Sequence, residues 1–182
     1  MEEQSPSREH NPLGKLYLGL PFWGHKGWAG DFYRPKIKAK DYLKEYGKVF
    51  NTVEGNTTFY SLPSAESVDR WKDSVPESFR FSFKLPRLIT HQLQLVGAQT
   101  AMDDFLDRLS PLGSRLGPFL IQLPPSFGPD RLDVLDRFLS TCPDPLDFAV
   151  EVRHPAFFDH EQTSRRLDDL LKQHGSELNP QI

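Results

Sequence analysis

The sequence predicts an α/β protein of the parallel (β/α) barrel type, with about five of the eight strand and helix units present. Three observations predict it. Short apolar runs bounded by Gly and Pro alternate with helix-forming segments, and no two of these runs follow each other directly. On one parity each run is bulky and apolar. On the other parity each run after the first turns polar at its C-terminal end. Alternation without adjacent strands implies parallel strands joined by helical crossovers. Polar ends on four strands favour a barrel, because an open doubly wound sheet gathers its ligand groups at one switch point.

The strand-like runs are KLYLGL (15–20), NTVEGN (51–56), FRFSFKL (79–85), PFLIQL (118–123) and LDFAVEV (146–152). Helical segments fall at 39–48, 64–73, 98–109, 130–140 and 161–174. Ser64 is placed as an N-cap, and Leu132, Leu135, Phe138 and Leu139 form an apolar stripe at helical spacing. Gly175 follows Lys172 and His174 as a helix stop. Side chains alternate faces with period two along a strand. Glu54 and Asn56 therefore share one face, as do Ser82 and Lys84, Leu120 and Gln122, and Ala149, Glu151 and Arg153. Phe79, Phe81, Phe83 and Leu85, with Phe119, Ile121, Phe148 and Val150, point the other way, toward the helices.

At 182 residues with 37% apolar and 12% aromatic content, the chain is long enough for one domain with a buried core. A net charge of -3 excludes a global positive field, so a nucleic-acid partner would have to be met by a local patch. Cys142 is the single cysteine, which permits no internal disulfide and no CxxC pair and suits a reducing cytoplasm. No run approaches the length of a spanning helix, so no membrane partner is expected. The start, MEEQSPSREHNP, lacks the layout of a signal peptide, and residues 1–14 read as a polar, disordered tail.

The polar residues at the strand ends make up the candidate site. Glu54 and Glu151 lie on runs that come nearly opposite each other in an eight-stranded barrel, so they are the candidate catalytic carboxylates. Asn56, Lys84, Gln122 and Arg153 converge on the same mouth as substrate-binding groups, the two cations suiting phosphate, carboxylate or sulfate. A structural ring of ion pairs is the competing reading. His154, in VEVRHP, with Tyr60 and Trp23 completes the binding set. His25, His91 and His154 follow strand ends and with the glutamates leave a divalent metal open as cofactor, although no HxH or HExxH spacing is present.

The blocks GLPFWGHKGW (19–28), FYRP (32–35), VEGNTTFYSLPS (53–64), FRFSFKLPRLITH (79–91), GPFLIQLPPSFGP (117–129) and FAVEVRHPAFF (148–158) are similar, in order and spacing, to the YecE-like family. The resemblance spans residues 15–175 and implies a TIM-barrel domain of unknown function, with a fold-level analogy to metal-dependent endonucleases. Where that family continues into a sixth strand, this chain runs SELNPQI, so residues 176–182 are expected to be a tail outside the family pattern. The ending itself reads as a premature stop, frameshift or fragment.

Three functions follow as expectations. One is a pocket for an anionic substrate, with hydrolysis of a phosphoester or nucleic acid as its chemistry. The second is a ligand-binding module without chemistry, and the third is a non-functional fragment of the barrel. The sequence carries no signal of oligomeric state.

Overall fold

The structure, a computed structural model, describes residues 15–178; the expected tail over 1–14 and the last four residues of the expected tail over 176–182 lie outside the described residues. Five parallel strands form one sheet in the order β1-β2-β3-β4-β5. They are β1 (Thr52–Gly55), β2 (Arg80–Lys84), β3 (Leu116–Gln122), β4 (Phe148–Glu151) and β5 (Glu177–Leu178). Six helices accompany them: α1 (Tyr42–Tyr46), α2 (Ala65–Ser74), α3 (Gln99–Leu109), α4 (Leu132–Leu139), α5 (Ala156–Asp159) and α6 (Glu161–Gln173). Strands that follow one another in space as in sequence are singly wound, which with right-handed crossovers puts every helix on the same face. There is no point at which the order reverses, so the topology is that of a barrel segment and not of a doubly wound sheet.

The outward parity builds the core. Val53, Phe81, Phe83, Phe119, Ile121, Phe148 and Val150 are buried in one cluster with Val68, Trp71, Met102, Phe105, Leu135, Leu167 and Leu171 from the helices. Phe81 and Phe83 stack with centroids 5.6 Å apart, and Trp71 lies over both rings. Leu120, on the inward parity, is buried but stands apart from that cluster. The two faces of the sheet are therefore chemically distinct. Ser64 caps α2 by accepting from Ser67 N at 3.2 Å, and Gly175 ends α6 with φ +61°.

Pairing from β2 to β3 shifts by one residue between Phe81 and Phe83, a bulge at Gly117 and Pro118. Proline has no N–H for a ladder, and Ser82 Oγ donates to Pro118 O at 2.7 Å. Beyond the bulge Lys84 pairs with Leu120, so the inward parity of β3 resumes in time to carry Gln122.

Two boundaries differ from the sequence expectation. Residues 15–20 run beside β1 but do not join its ladder. Two backbone bonds reach this segment, Asn51 N to Leu18 O (3.4 Å) and Glu54 N to Leu20 O (3.2 Å), but side chains take the bonds between them: Leu18 N donates to Asn51 Oδ1 (2.7 Å), Asn51 Nδ2 donates to Leu16 O (2.8 Å), and Leu20 N donates to Tyr46 Oη (2.6 Å). The Tyr46 hydroxyl donates onward to Thr52 O at 3.0 Å. An inserted hydroxyl occupies the place where a ladder bond would form, so the apolar texture predicts the segment's position but not its pairing. A Cβ at Gly19 would overlap the Thr52 carbonyl, which is why the segment can approach there.

The second difference is at the other end. Glu177–Leu178, expected in a tail without strand pattern, pairs in parallel with β4 through Ala149↔Glu177 and Val150↔Leu178. Ladder bonds come from the backbone, so two residues add to an edge whatever their pattern, and Leu178 packs against the core. Gly55 lets β1 lie close to its neighbour: a Cβ there would overlap the Phe83 ring on the adjacent strand.

Tyr46→Phe leaves Leu20 N and Thr52 O without their shared partner in a buried setting, and is expected to cost about 1 to 3 kcal/mol in urea unfolding. Gly55→Ala displaces Phe83 from its stack on Trp71 and is expected to lower the melting temperature, read by near-ultraviolet circular dichroism.

Candidate functional site

Ladder register decides which inward residues meet. Glu54 pairs with Ser82 and Gln122 with Glu151, while Lys84 lies one pleat beyond Ser82. Lys84 Nζ therefore comes to 3.7 Å from Glu54 Oε1, a loose ion pair with both groups partly buried. Glu151 is deeper, its side chain 3% exposed. Gln122 Nε2 donates to its Oε1 at 2.8 Å and Arg153 Nε to the same oxygen at 2.6 Å. The other oxygen, Oε2, is buried without a hydrogen-bond partner. A buried carboxylate oxygen in that state costs free energy unless a donor reaches it.

Asn56 begins the turn Asn56–Phe59 that leaves β1. Its Nδ2 donates to Pro21 O at 3.0 Å, which orients the amide, since a carbonyl accepts only from the nitrogen end. Oδ1 then faces away and has no donor. Thr58, fully buried in the same turn, places its hydroxyl 2.8 Å from Gly55 O and 2.7 Å from Lys84 O. That hydroxyl ties the exit of β1 to the end of β2 and so sets Lys84 against Glu54.

The chain after β2 forms a π-helical turn, Leu88–Gln92. It carries His91, whose Nδ1 lies 2.9 Å from Thr90 Oγ1 and whose ring meets Phe59 edge-on at 5.0 Å. Burial is the largest influence on the imidazole and lowers its pKa. The positive charges of Arg87, Arg153 and Lys84 lower it further, and only the Glu151 charge opposes them. His91 thus lies in a positive field made by three side chains from the ends of two strands, β2 and β4.

Glu54 and Asn56 line a hollow of about 450 Å³ together with Pro21, Phe22, Trp23 and His25. Trp23 also packs edge-on against Trp71 and Phe81, so it joins the hollow to the core. Tyr60 is 82% exposed and lines a different hollow of about 380 Å³ with Leu62, Arg87 and Leu88. His154 Nδ1 accepts from Ala156 N at 3.2 Å, a capping contact at the start of α5. His25 lies against the Phe22 and Trp28 rings. Among the described residues no three His, Cys, Asp or Glu side chains gather in an arrangement that can hold a metal ion, so the three histidines left open as ligands are dispersed over separate contacts. Burial pushes the Cys142 thiol up to about 12, which favours the thiol over the thiolate.

Sequence reasoning missed Arg87 and Thr58 and weighed His91 only as a metal ligand. The signal for the first was present in KLPRLITH (84–91), where Arg87 and His91 are four residues apart and so face the same way in a helical turn. Nothing marks Thr58 until two carbonyls are seen to converge on it.

A singly wound parallel sheet with a helix layer outside and charged groups at its C-terminal ends defines a barrel-type α/β protein with a polar mouth. The sequence profile of the family described as "Protein of unknown function DUF72" matches residues 17–179, and the chain belongs to that family. It is 42% identical to UPF0759 protein YecE of Escherichia coli (strain K12) over 160 residues, covering 88% of this chain and 56% of that protein. UPF0759 protein YunF of Bacillus subtilis (strain 168) is 28% identical, with 81% of this chain and 55% of that protein covered. The chain thus spans about half the length of the curated relatives it matches. Among crystal structures, a DUF72 family protein from Thermotoga maritima MSB8 superposes with a TM-score of 0.69 at 31% identity, over 89% of this chain and 63% of that one. A second, from Enterococcus faecalis V583, gives 0.69 at 26% identity, over 91% and 64%. No helix among the described residues is long and apolar enough to cross a membrane.

The lowered pKa of His91 has a definite sign for stability. Between the ordinary value near 6.5 and the folded value, the unfolded chain binds a proton that the folded chain does not, so stability is lost as pH falls through that window. The His91 ring resonances are expected to titrate below pH 6.5 in NMR spectra. Arg87→Met is expected to move that titration upward by removing one opposing charge.

Proposed function

We propose that the C-terminal mouth of the sheet binds a small anionic ligand. The observation that carries this reading is the placement of Lys84 and Arg153 at the C-terminal ends of β2 and β4, each against a carboxylate, with the charge of Arg87 added to theirs at His91. Among the described residues Arg87 has no acidic partner within ion-pair distance, so the cluster holds one more positive charge than negative even with His91 neutral. Phosphate, carboxylate and sulfate groups match the fork of Arg153 and the point charge of Lys84. Nucleic acid enters only as a source of phosphate, since the net charge of -3 supplies no wider field. A single half-buried thiol suits a cytoplasmic setting.

A hydrolytic reading rests on Glu151. Gln122 and Arg153 fix one oxygen and leave Oε2 with no partner, the arrangement needed to orient a water or take its proton. Glu54 faces the same mouth as the second carboxylate. Incubating the protein and a full-length relative with phosphoesters and DNA, with and without divalent cations, separates this chemistry from simple binding. Turnover abolished by Glu151→Gln and by Glu54→Gln supports hydrolysis; a bound, unchanged ligand supports a binding module.

Binding of sulfate, which does not titrate in this range, tests the anion site directly. An anion beside His91 raises the imidazole pKa, so binding takes up a proton and is expected to tighten as pH falls from 7.5 toward 5.5. Arg153→Ala and Arg87→Ala are each expected to weaken sulfate binding by about tenfold in isothermal titration calorimetry. Sulfate affinity that ignores both substitutions would count against the reading.

A further inference from the structure

We infer that the hollow beside the cationic cluster is a sugar subsite, and that the ligand of this mouth is a phosphorylated monosaccharide. The inference rests on the anion-binding reading above and specifies what the anion is attached to.

The hollow of about 450 Å³ is large enough for one ring, and its walls divide into two chemistries. One wall is aromatic. Phe22 is 47% exposed and is backed by Trp28, with the rings stacked at 5.3 Å and 22°, so it offers a supported apolar face. Trp23 continues that wall and is anchored on Trp71. The other wall consists of acceptors. Asn56 Oδ1 has no donor, because its amide nitrogen is spent on Pro21 O. The Glu54 carboxylate has Lys84 at 3.7 Å and no shorter partner among the described residues.

An apolar face opposite unmet acceptors fits a ring with a C–H face and a rim of hydroxyl donors. A purely aromatic ligand would leave both acceptors unmet. A cationic ligand would meet the acceptors but would also face the Lys84 ammonium. The two subsites are contiguous, since the contact between Lys84 and Glu54 is their shared boundary. A phosphate on Lys84 therefore leaves an attached sugar over Glu54, Asn56 and Phe22.

The test is calorimetric titration with inorganic phosphate, with glucose, and with the 6-phosphates of glucose, mannose and galactose and ribose 5-phosphate. At least one sugar phosphate is expected to bind about tenfold or more tighter than inorganic phosphate. Phe22→Ala, at an exposed ring whose loss leaves the fold intact by circular dichroism, is expected to remove that advantage while keeping phosphate affinity within about twofold. Asn56→Leu is expected to do the same, and Arg153→Ala to weaken both ligands. Phosphate binding with no sugar phosphate binding tighter overturns the sugar subsite and leaves the anion site standing. An advantage that survives both Phe22→Ala and Asn56→Leu overturns it as well. Absence of binding by phosphate and by every sugar phosphate overturns both readings.

Discussion

The pleat of the parallel sheet is the constraint on which everything else depends. Every second side chain of β1 to β4 must face the helix layer, and those positions are filled by Val53, Phe81, Phe83, Phe119, Ile121, Phe148 and Val150. The intervening positions are freed from packing against helices, and they hold Glu54, Ser82, Lys84, Gln122 and Glu151. A one-residue slip in any strand would exchange the two sets and bury charge in the aromatic core. The bulge at Gly117 and Pro118 shows how firmly this is kept, because the inward parity of β3 resumes past it and Gln122 reaches Glu151.

From that register follows the electrostatics of the mouth. Glu151 is buried and survives there because Gln122 and Arg153 both donate to one of its oxygens. Lys84 is buried less and spends itself only loosely on Glu54. Arg87 arrives from the π-helical turn after β2 and adds charge without adding an acceptor. His91 reports the sum, since burial and three cations together hold its imidazolium down. In the proposed anion site sign would select first and shape second, with the aromatic and amide walls deciding what else is carried with the anion.

The resemblance in the sequence and the family membership agree, because the blocks that carry the first are the segments that build the mouth. VEGNTTFYSLPS (53–64) supplies Glu54, Asn56 and Thr58, FRFSFKLPRLITH (79–91) supplies Lys84, Arg87 and His91, and FAVEVRHPAFF (148–158) supplies Glu151 and Arg153. The curated relatives are longer than the matched region, which covers 56% of the Escherichia coli protein.

By itself the sequence determined the class of fold, the helix layer and the two faces of the sheet. Those properties follow from period-two and helical spacing, which are local. Glu54 and Lys84, or Gln122 and Glu151, were legible as residues of one face but not as partners, because pairing depends on register between segments tens of residues apart. Texture also misled at both edges: residues 15–20 carry a strand's composition yet share their hydrogen bonds between the backbone of Asn51 and Glu54 and the side chains of Asn51 and Tyr46, while Glu177–Leu178 pairs without any pattern. Only the tertiary structure could decide that His91 belongs with Arg87, Arg153 and Lys84, that Tyr60 points into a separate hollow, and that His154 caps a helix. Such outcomes depend on distances across the fold, and a linear pattern holds no record of them.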